Sequence, residues 1–414
     1  MKAVRIKEIE VSVKTRKFLG LTLTVAACLT SAGEAAKSSK PVDVAVYYFG
    51  NYHVDPRNEA LLGKGWTEWE YVKGAKPRFE GHRQPKVPLW GYNDEADPKV
   101  MAKKIDAAAD HGVDAFLFDW YWYNGPFLNR PIDEGFKGAP NRNRIKFALM
   151  WANHEFGSLK PAQPYQPHQI VYPGGVTPAE FDQICDHVIA RYFKEPNYWK
   201  IDGCPYFLFY DLNMLGSKLG GFSGTKAALE RFRAKAKAAG FLGLHLAIVL
   251  GGGSMKLAGG PKKPADLVKA LGFDSATSYV WAHHVRLRKR ETDYNFACNQ
   301  YAKAWKNITK TFSLPYCPNL TMGWDPSPRT DQTSAWSPSA GYPFCGVIVN
   351  NTPANFRKAA ERIKARLDAN PSLPRIVTVN SWNEWTEGSY IEPDKETGFG
   401  YLEAIRDVFG PTGR

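Results

Sequence analysis

The stretch VTVNSWNEWTEGSYIEPD, residues 377–394, runs from a short β-branched apolar segment straight into four acidic residues and two tryptophans. A strand that is apolar along its whole length and then breaks into a polar loop reads as a buried parallel strand whose end faces a site. Seven other β-rich apolar runs precede it, at 42–49, 115–121, 146–151, 206–210, 245–250, 276–281 and 314–319, and the eighth spans 375–379. Helical periodicity fills the gaps at 98–111, 177–193, 225–239, 264–271, 294–310 and 353–369, and again at 401–408. After the second strand the helical pattern is short, near 132–136. Asp97 followed by Pro98 is a helix start, with a capping carboxylate and a proline at the first position. Strict strand–helix alternation predicts an α/β fold, and eight such units predict a single (β/α)8 TIM barrel over 41–414. A long loop, 51–97, follows the first strand.

In such a barrel the chemistry lies at the C-terminal strand ends. Those positions carry Tyr48, Asp119, Tyr121, Trp151, Asn153, His154, Asp211, Trp281, Trp382, Asn383, Glu384 and Glu387. The long loop adds Trp66 and Glu68, the latter either completing the pocket or capping the loop. One such residue alone is an ordinary strand end. Carboxylates, amides and aromatics gathered on one face match what glycoside chemistry needs: a proton for the leaving oxygen, a base or nucleophile opposite, and flat apolar surfaces for sugar rings.

Aromatic residues make up 14% of the 414 residues and include 13 Trp, which serves core filling and ring stacking equally well. The formal charge is +13, and the first 27 residues hold six Lys/Arg against two acids, so the rest stays basic. The lysines are spread along amphipathic helices, which disfavours a nucleic-acid partner and leaves anionic polysaccharide open. Cys185, Cys204, Cys298, Cys317 and Cys345 show no metal-ligand spacing, and no phosphate- or dinucleotide-binding glycine loop occurs, so neither metal nor cofactor is expected. Cys185 with Cys204 is the disulfide considered.

At the N-terminus, Lys14, Arg16 and Lys17 precede an apolar run over 18–30 and then small residues, the pattern of an export signal over 1–36. Val25-Ala26-Ala27-Cys28 also fits a lipobox. Cleavage before Cys28 would give a lipid-anchored protein, and cleavage within 32–36 a periplasmic or secreted one. No later run is long enough for a transmembrane helix.

Four motifs carry a family resemblance: GKGWTEWEYVKGAKPRFEGHRQPKVPL (63–89), FDWYWYNG (118–125), MWANHE (150–155) and NSWNEWTEGSYIEPDKETGFGYLEAI (380–405). In this order they resemble the WbsX-type, glycoside hydrolase family 99-like proteins, related to endo-α-1,2-mannosidases. The resemblance implies a (β/α)8 barrel acting on carbohydrate without a metal. In family 99 a similar NEWxEG segment supplies both catalytic carboxylates. Mapped here, Glu384 would be the base that deprotonates the substrate's own 2-hydroxyl, giving a 1,2-anhydro sugar, and Glu387 the acid that protonates the leaving group. Trp382 and Asn383 would orient the pair. Tyr48, Trp151, Asn153, His154 and Asp211 would line the sugar pocket. The 63–89 motif belongs to the WbsX-like branch, much of which is labelled glycosyltransferase. A glycosyltransferase of polysaccharide biosynthesis and a non-catalytic glycan-binding protein are therefore the alternatives to a hydrolase. The export signal, the lack of a DxD motif and the retained glutamates favour the hydrolase.

Overall fold

Buried on both faces, the apolar runs pair in parallel, as continuous hydrophobicity requires. The computed structural model describes residues 41–167, 169–251 and 253–410. Its strands are β1 (Asp43–Tyr48), β2 (Ala115–Trp122), β3 (Lys146–Trp151), β4 (Cys204–Phe209), β5 (His245–Val249), β6 (Ser275–Thr277), β7 in two pieces (Tyr316–Cys317 and Asn319–Thr321) and β8 (Ile376–Asn380). Consecutive strands pair from β1 to β6, and β8 pairs with β1, for instance Val44 against Val377.

Pro318 divides β7 because it has no N–H to give a ladder. Its carbonyl still accepts from Thr378 N at 3.0 Å. The first piece pairs with β6 and the second with β8, so this one broken strand closes the barrel.

Around the sheet lie α3 (Pro98–Asp110), α4 (Pro178–Val188), α5 (Leu212–Ser217), α6 (Gly221–Ala238), α7 (Pro264–Ala270), α8 (Tyr294–Thr311), α9 (Pro353–Asp368) and α10 (Gly400–Phe409). Asp97 caps α3 through Lys99 N, as its sequence position predicts. The loop after β1 is not bare: it contains α1 (Pro56–Leu62) and α2 (Trp69–Gly74). Its far end returns to the loop after β8, with Leu89 N donating to Pro393 O at 2.8 Å.

Two expectations change. The sixth strand ends at Thr277 instead of running to 281, and Trp281–His283 forms a single helical turn. The chain leaves the sheet there because Trp281 N donates to the Thr321 hydroxyl, 2.9 Å away, in place of a ladder partner. The Cys185–Cys204 disulfide is absent, and the five cysteines among the described residues are free. Cys185 is buried on the core side of α4, whereas the Cys204 sulfur lies beside Gly243.

The Thr277, Thr378 and Tyr47 hydroxyls inside the barrel are paired, which offsets the cost of burying them. Thr277 and Thr378 hydroxyls meet at 2.9 Å, and Tyr47 donates to Ser278 O at 3.1 Å. The segment 1–36 expected to be an export signal, with Cys28, lies outside the described residues. Among the described residues no helix is long and apolar enough to cross a membrane.

Candidate active site

The loop after β8 is short and tied at every step. Trp382 N donates to Tyr47 O (2.7 Å), and the Asn383 side chain accepts from Phe49 N (2.8 Å) and donates to Phe49 O (2.7 Å). Asn383 therefore extends β1 by one rung. Asn383–Glu384 then pairs with Ser389–Tyr390 around the single turn Trp385–Glu387. Gly388 closes that turn at φ 59°, where a Cβ would stand 2.6 Å from the Asp325 Cβ, so both backbone and space call for glycine. Trp385 stacks on Tyr390 at 3.7 Å and donates to Glu392 at 2.9 Å. Glu384 and Glu387 are thus carried on a scaffold with little freedom.

Both glutamates line a cavity of about 970 Å³ at the C-terminal end of the barrel. Glu68, Asp119, Tyr121 and His154 line it as well, joined by Phe49, Tyr210, Tyr279, Trp324, Arg329 and Tyr342. Arg329 is the hub of the floor. Its Nη1 donates to Glu387 Oε1 (2.6 Å) and to the Tyr342 hydroxyl (2.6 Å), and its Nη2 to Glu68 (3.0 Å) and Glu384 (3.3 Å). Its Nε–H is shared between Thr386 (3.0 Å) and Glu68 (3.3 Å). All five guanidinium N–H bonds are committed.

Burial pushes Glu384 well above the usual carboxyl range, Glu387 adds to this, and Arg329 pulls the other way. Burial also raises Glu387, against Arg329. Arg329 itself stays charged, because Tyr342 and the carboxylates outweigh its own desolvation. Tyr279 donates toward Asp119 (2.9 Å) and Glu384 (3.0 Å). A phenol has one hydrogen, so for both contacts to be full hydrogen bonds one of these acids must hold a proton. Burial favours that proton on either of them. Burial pulls His154, His283 and His284 below the ordinary histidine range, the last two to about 4, so they are neutral at physiological pH.

The structure gathers some of the sequence-derived residues and turns others away. Side chains alternate along a strand. Asp119 and Tyr121 face in while Trp120 faces out, and Met150, Ala152 and His154 face in while Trp151 and Asn153 do not. Trp151 packs on Phe181 and Phe209 in the layer under α4. Tyr48 lies between Phe116 and Phe118, with Lys104 of α3 over its ring. Trp281 is wedged against Tyr294 and Tyr301 of α8, and Trp382 is fully buried against Phe116. Asn153 ties the ends of β3 and β4 by accepting from Tyr210 N and Asp211 N and donating to Asp211 O. Asp211 caps α5 through Met214 N. Asn383 is used up by Phe49 and Glu95. Trp66 stands behind the wall, edge-on to Tyr71. These eight side chains are structural supports, not cavity lining.

Glu68 joins the floor and does not cap the loop: it accepts from Asn51 (2.6 Å) and Thr386 (2.6 Å) as well as Arg329. Arg329 and Tyr342 escaped the sequence reading. They sit in an irregular segment after β7 with no periodicity to mark them. Tyr279 follows strand six and was readable as a strand-end aromatic.

Comparison with known proteins agrees with this architecture. Solved structures with similar folds include the GH99 endo-alpha-mannosidase from Bacteroides thetaiotaomicron, at 14% identity and TM-score 0.50 over 88% of this chain and 96% of that one. Another is a glycoside hydrolase-like protein at 14% identity and TM-score 0.55, covering 89% and 94%. The uncharacterized protein WxcX of Xanthomonas campestris pv. campestris (strain B100) is 27% identical over 387 residues, 90% of this chain. The chain spans about half the length of that relative. The model of the family described as "Glycosyltransferase WbsX" matches residues 44–405, nearly the whole of the described barrel, and the chain belongs to that family.

Proposed function

We propose that the protein is a glycosidase that cleaves a glycosidic bond in an oligo- or polysaccharide by carboxylate acid–base catalysis. The observation that carries this reading is the pair Glu384 and Glu387, buried on one rigid loop and lining a large cavity walled by Phe49, Tyr121, Tyr210, Tyr279 and Tyr342. The aromatic wall suits sugar faces. The two carboxyls suit proton delivery and proton removal. Because both lie on the same short loop, attack by the substrate's own 2-hydroxyl fits better than attack by a carboxylate on the opposite face. In that reading Glu384 is the base and Glu387 the acid. Arg329 sits closer to Glu387 in the free site, so the acid role requires the bound saccharide to loosen that contact.

Glu387→Gln is expected to abolish turnover of natural glycosides while sparing substrates with an activated aryl leaving group, and Glu384→Gln to remove both. The opposite pattern exchanges the two roles. Equal, mild losses would end the proposal. The signal pattern at the N-terminus supports action outside the cytoplasm.

The family's description favours a second reading, glycosyl transfer. The floor's one guanidinium has no free donor for a donor diphosphate, which weighs toward hydrolysis. Release of free reducing ends in water with no nucleotide sugar present separates the two.

A further inference from the structure

The cavity is electrostatically divided. Its floor holds Glu68, Asp119, Glu384 and Glu387 against a single cation, Arg329, whose N–H groups are all engaged. A sugar bearing its own carboxylate or sulfate at the floor would meet four acidic side chains and no uncommitted cation, and burying such an unpaired charge is costly. His154, His283 and His284 stay neutral and cannot compensate.

The rim is different. Lys160 and Arg286 both line the cavity and are exposed, and neither has an ion pair or hydrogen-bonded side-chain partner among the described residues. They are not on random loops. The segment carrying Lys160 is strapped to the segment carrying Arg329, with Ala162 N donating to Arg329 O at 2.9 Å. The segment carrying Arg286 is held by Gly346 N to Leu287 O (3.3 Å) and Val347 N to Arg290 O (2.9 Å). Arg288 and Lys289, also exposed, continue the positive charge outward from Arg286. Glu155 is the exposed carboxylate on the same wall, and two lining cations stand against it.

Resting on the glycosidase reading above, we infer that the substrate is an anionic polysaccharide with an uncharged sugar at the bond attacked and its carboxylate or sulfate groups on neighbouring units, held by Lys160 and Arg286. The floor selects the neutral unit because it offers a charged one no uncommitted cation, and the rim selects its charged neighbours by attraction. Exposed ion pairs are individually weak, so the preference is one of a few-fold per contact, and it fades with salt.

The test pairs polymers that alternate charged and uncharged units with their neutralised forms: a rhamnogalacturonan backbone and its carboxyl-reduced form, and a sulfated galactan with alternating unsulfated units and its desulfated form. Binding to Glu387→Gln protein is measured by affinity electrophoresis and calorimetry, and turnover of the unsubstituted protein by released reducing ends. The expected result is that at least one native polymer binds roughly fivefold or more tightly than its neutral partner at low salt. The preference should disappear in the additional double substitution Lys160→Ala/Arg286→Ala, which leaves binding of the neutral form unchanged. Which pair shows it distinguishes carboxylate from sulfate. Equal or better binding of the neutral forms, an unchanged preference in the double variant, binding of no anionic polymer, or binding of nucleotide sugars alone would overturn the inference. A charge preference in binding without any release of reducing ends would keep the rim assignment and remove the glycosidase.

Discussion

Two buried clusters of one cation and two or three carboxylates flank the same loop, and they do opposite things. On the barrel side of α3, Lys104 pairs with Glu95 and with Glu392 (2.8 Å), all three essentially sealed from solvent, and Glu95 accepts from Asn383. On the cavity side, Arg329 holds Glu68, Glu384 and Glu387. The residues are alike and so is the burial of the acids. What differs is open space: none of the three side chains of the first cluster lines the cavity, and the second cluster forms its floor. Buried charge is therefore no sufficient sign of chemistry here. The sealed cluster anchors the residue before Glu384, and the open one leaves Glu384 and Glu387 reachable.

That contrast can be broken most forcefully with a pair of substitutions. Lys104→Met strands two carboxylates in a sealed space and is expected to cost about 3–5 kcal/mol of stability, read by denaturant unfolding. Glu384→Gln is expected to lower turnover by about 10²–10⁴ while leaving the unfolding curve nearly in place. If the two swapped outcomes, the division of labour would be wrong. Trp382→Leu, within the core next to the loop, is expected to cost about 2–4 kcal/mol by opening a cavity, with substrate affinity of the folded fraction preserved.

Arg329→Met sharpens the comparison. Water reaches its carboxylates, so they can take up protons instead of remaining as stranded charges, and the stability loss should be smaller than for Lys104→Met. Without the cation both glutamates titrate higher, and the bell-shaped pH profile of activity moves up by about one unit or more. A profile that stayed fixed would deny Arg329 its electrostatic role.

Glu95→Gln is the gentlest probe. Burial, opposed by Lys104, brings the folded Glu95 carboxyl to about 7. This lies above the unfolded value of about 4.3. The native state therefore keeps a proton that the unfolded chain gives up, and this contribution is complete below about pH 4 and lost as pH rises through 7. At pH 5 Glu95→Gln should melt within about 2 °C of the parent. Between pH 5 and 8 the parent should lose stability that the variant retains.

The barrel was legible because its signal is repeated. Eight apolar runs and the intervening helical patterns each survive an error of a few residues, as the late start predicted for α6 and the early end of β6 illustrate. The site was legible only where a motif marked it. Glu384 and Glu387 stand in NEWTEG, whereas Tyr48, Trp151 and Trp382 were drawn from strand ends without applying the two-residue alternation that sends them to the outer layer. Tyr47 and Tyr48 show the rule within one dipeptide: the first hydroxyl reaches Ser278 O inside the barrel, and the second ring lies among phenylalanines outside it. Arg329 has no such regular neighbourhood. Its position depends on a loop whose course is set by contacts made 160 and more residues away, such as Gln332 with Lys76 N.

The excursion between β7 and α9 supplies both Arg329 and Tyr342, the two groups that hold Glu387 Oε1. A barrel with the same closing motif but a trimmed excursion would keep its acid pair and lose the clamp that tunes it. The closing motif that carries the two glutamates and the excursion that supplies their guanidinium are therefore separate parts of the chain, and exchanging the excursion alone would retune the pair.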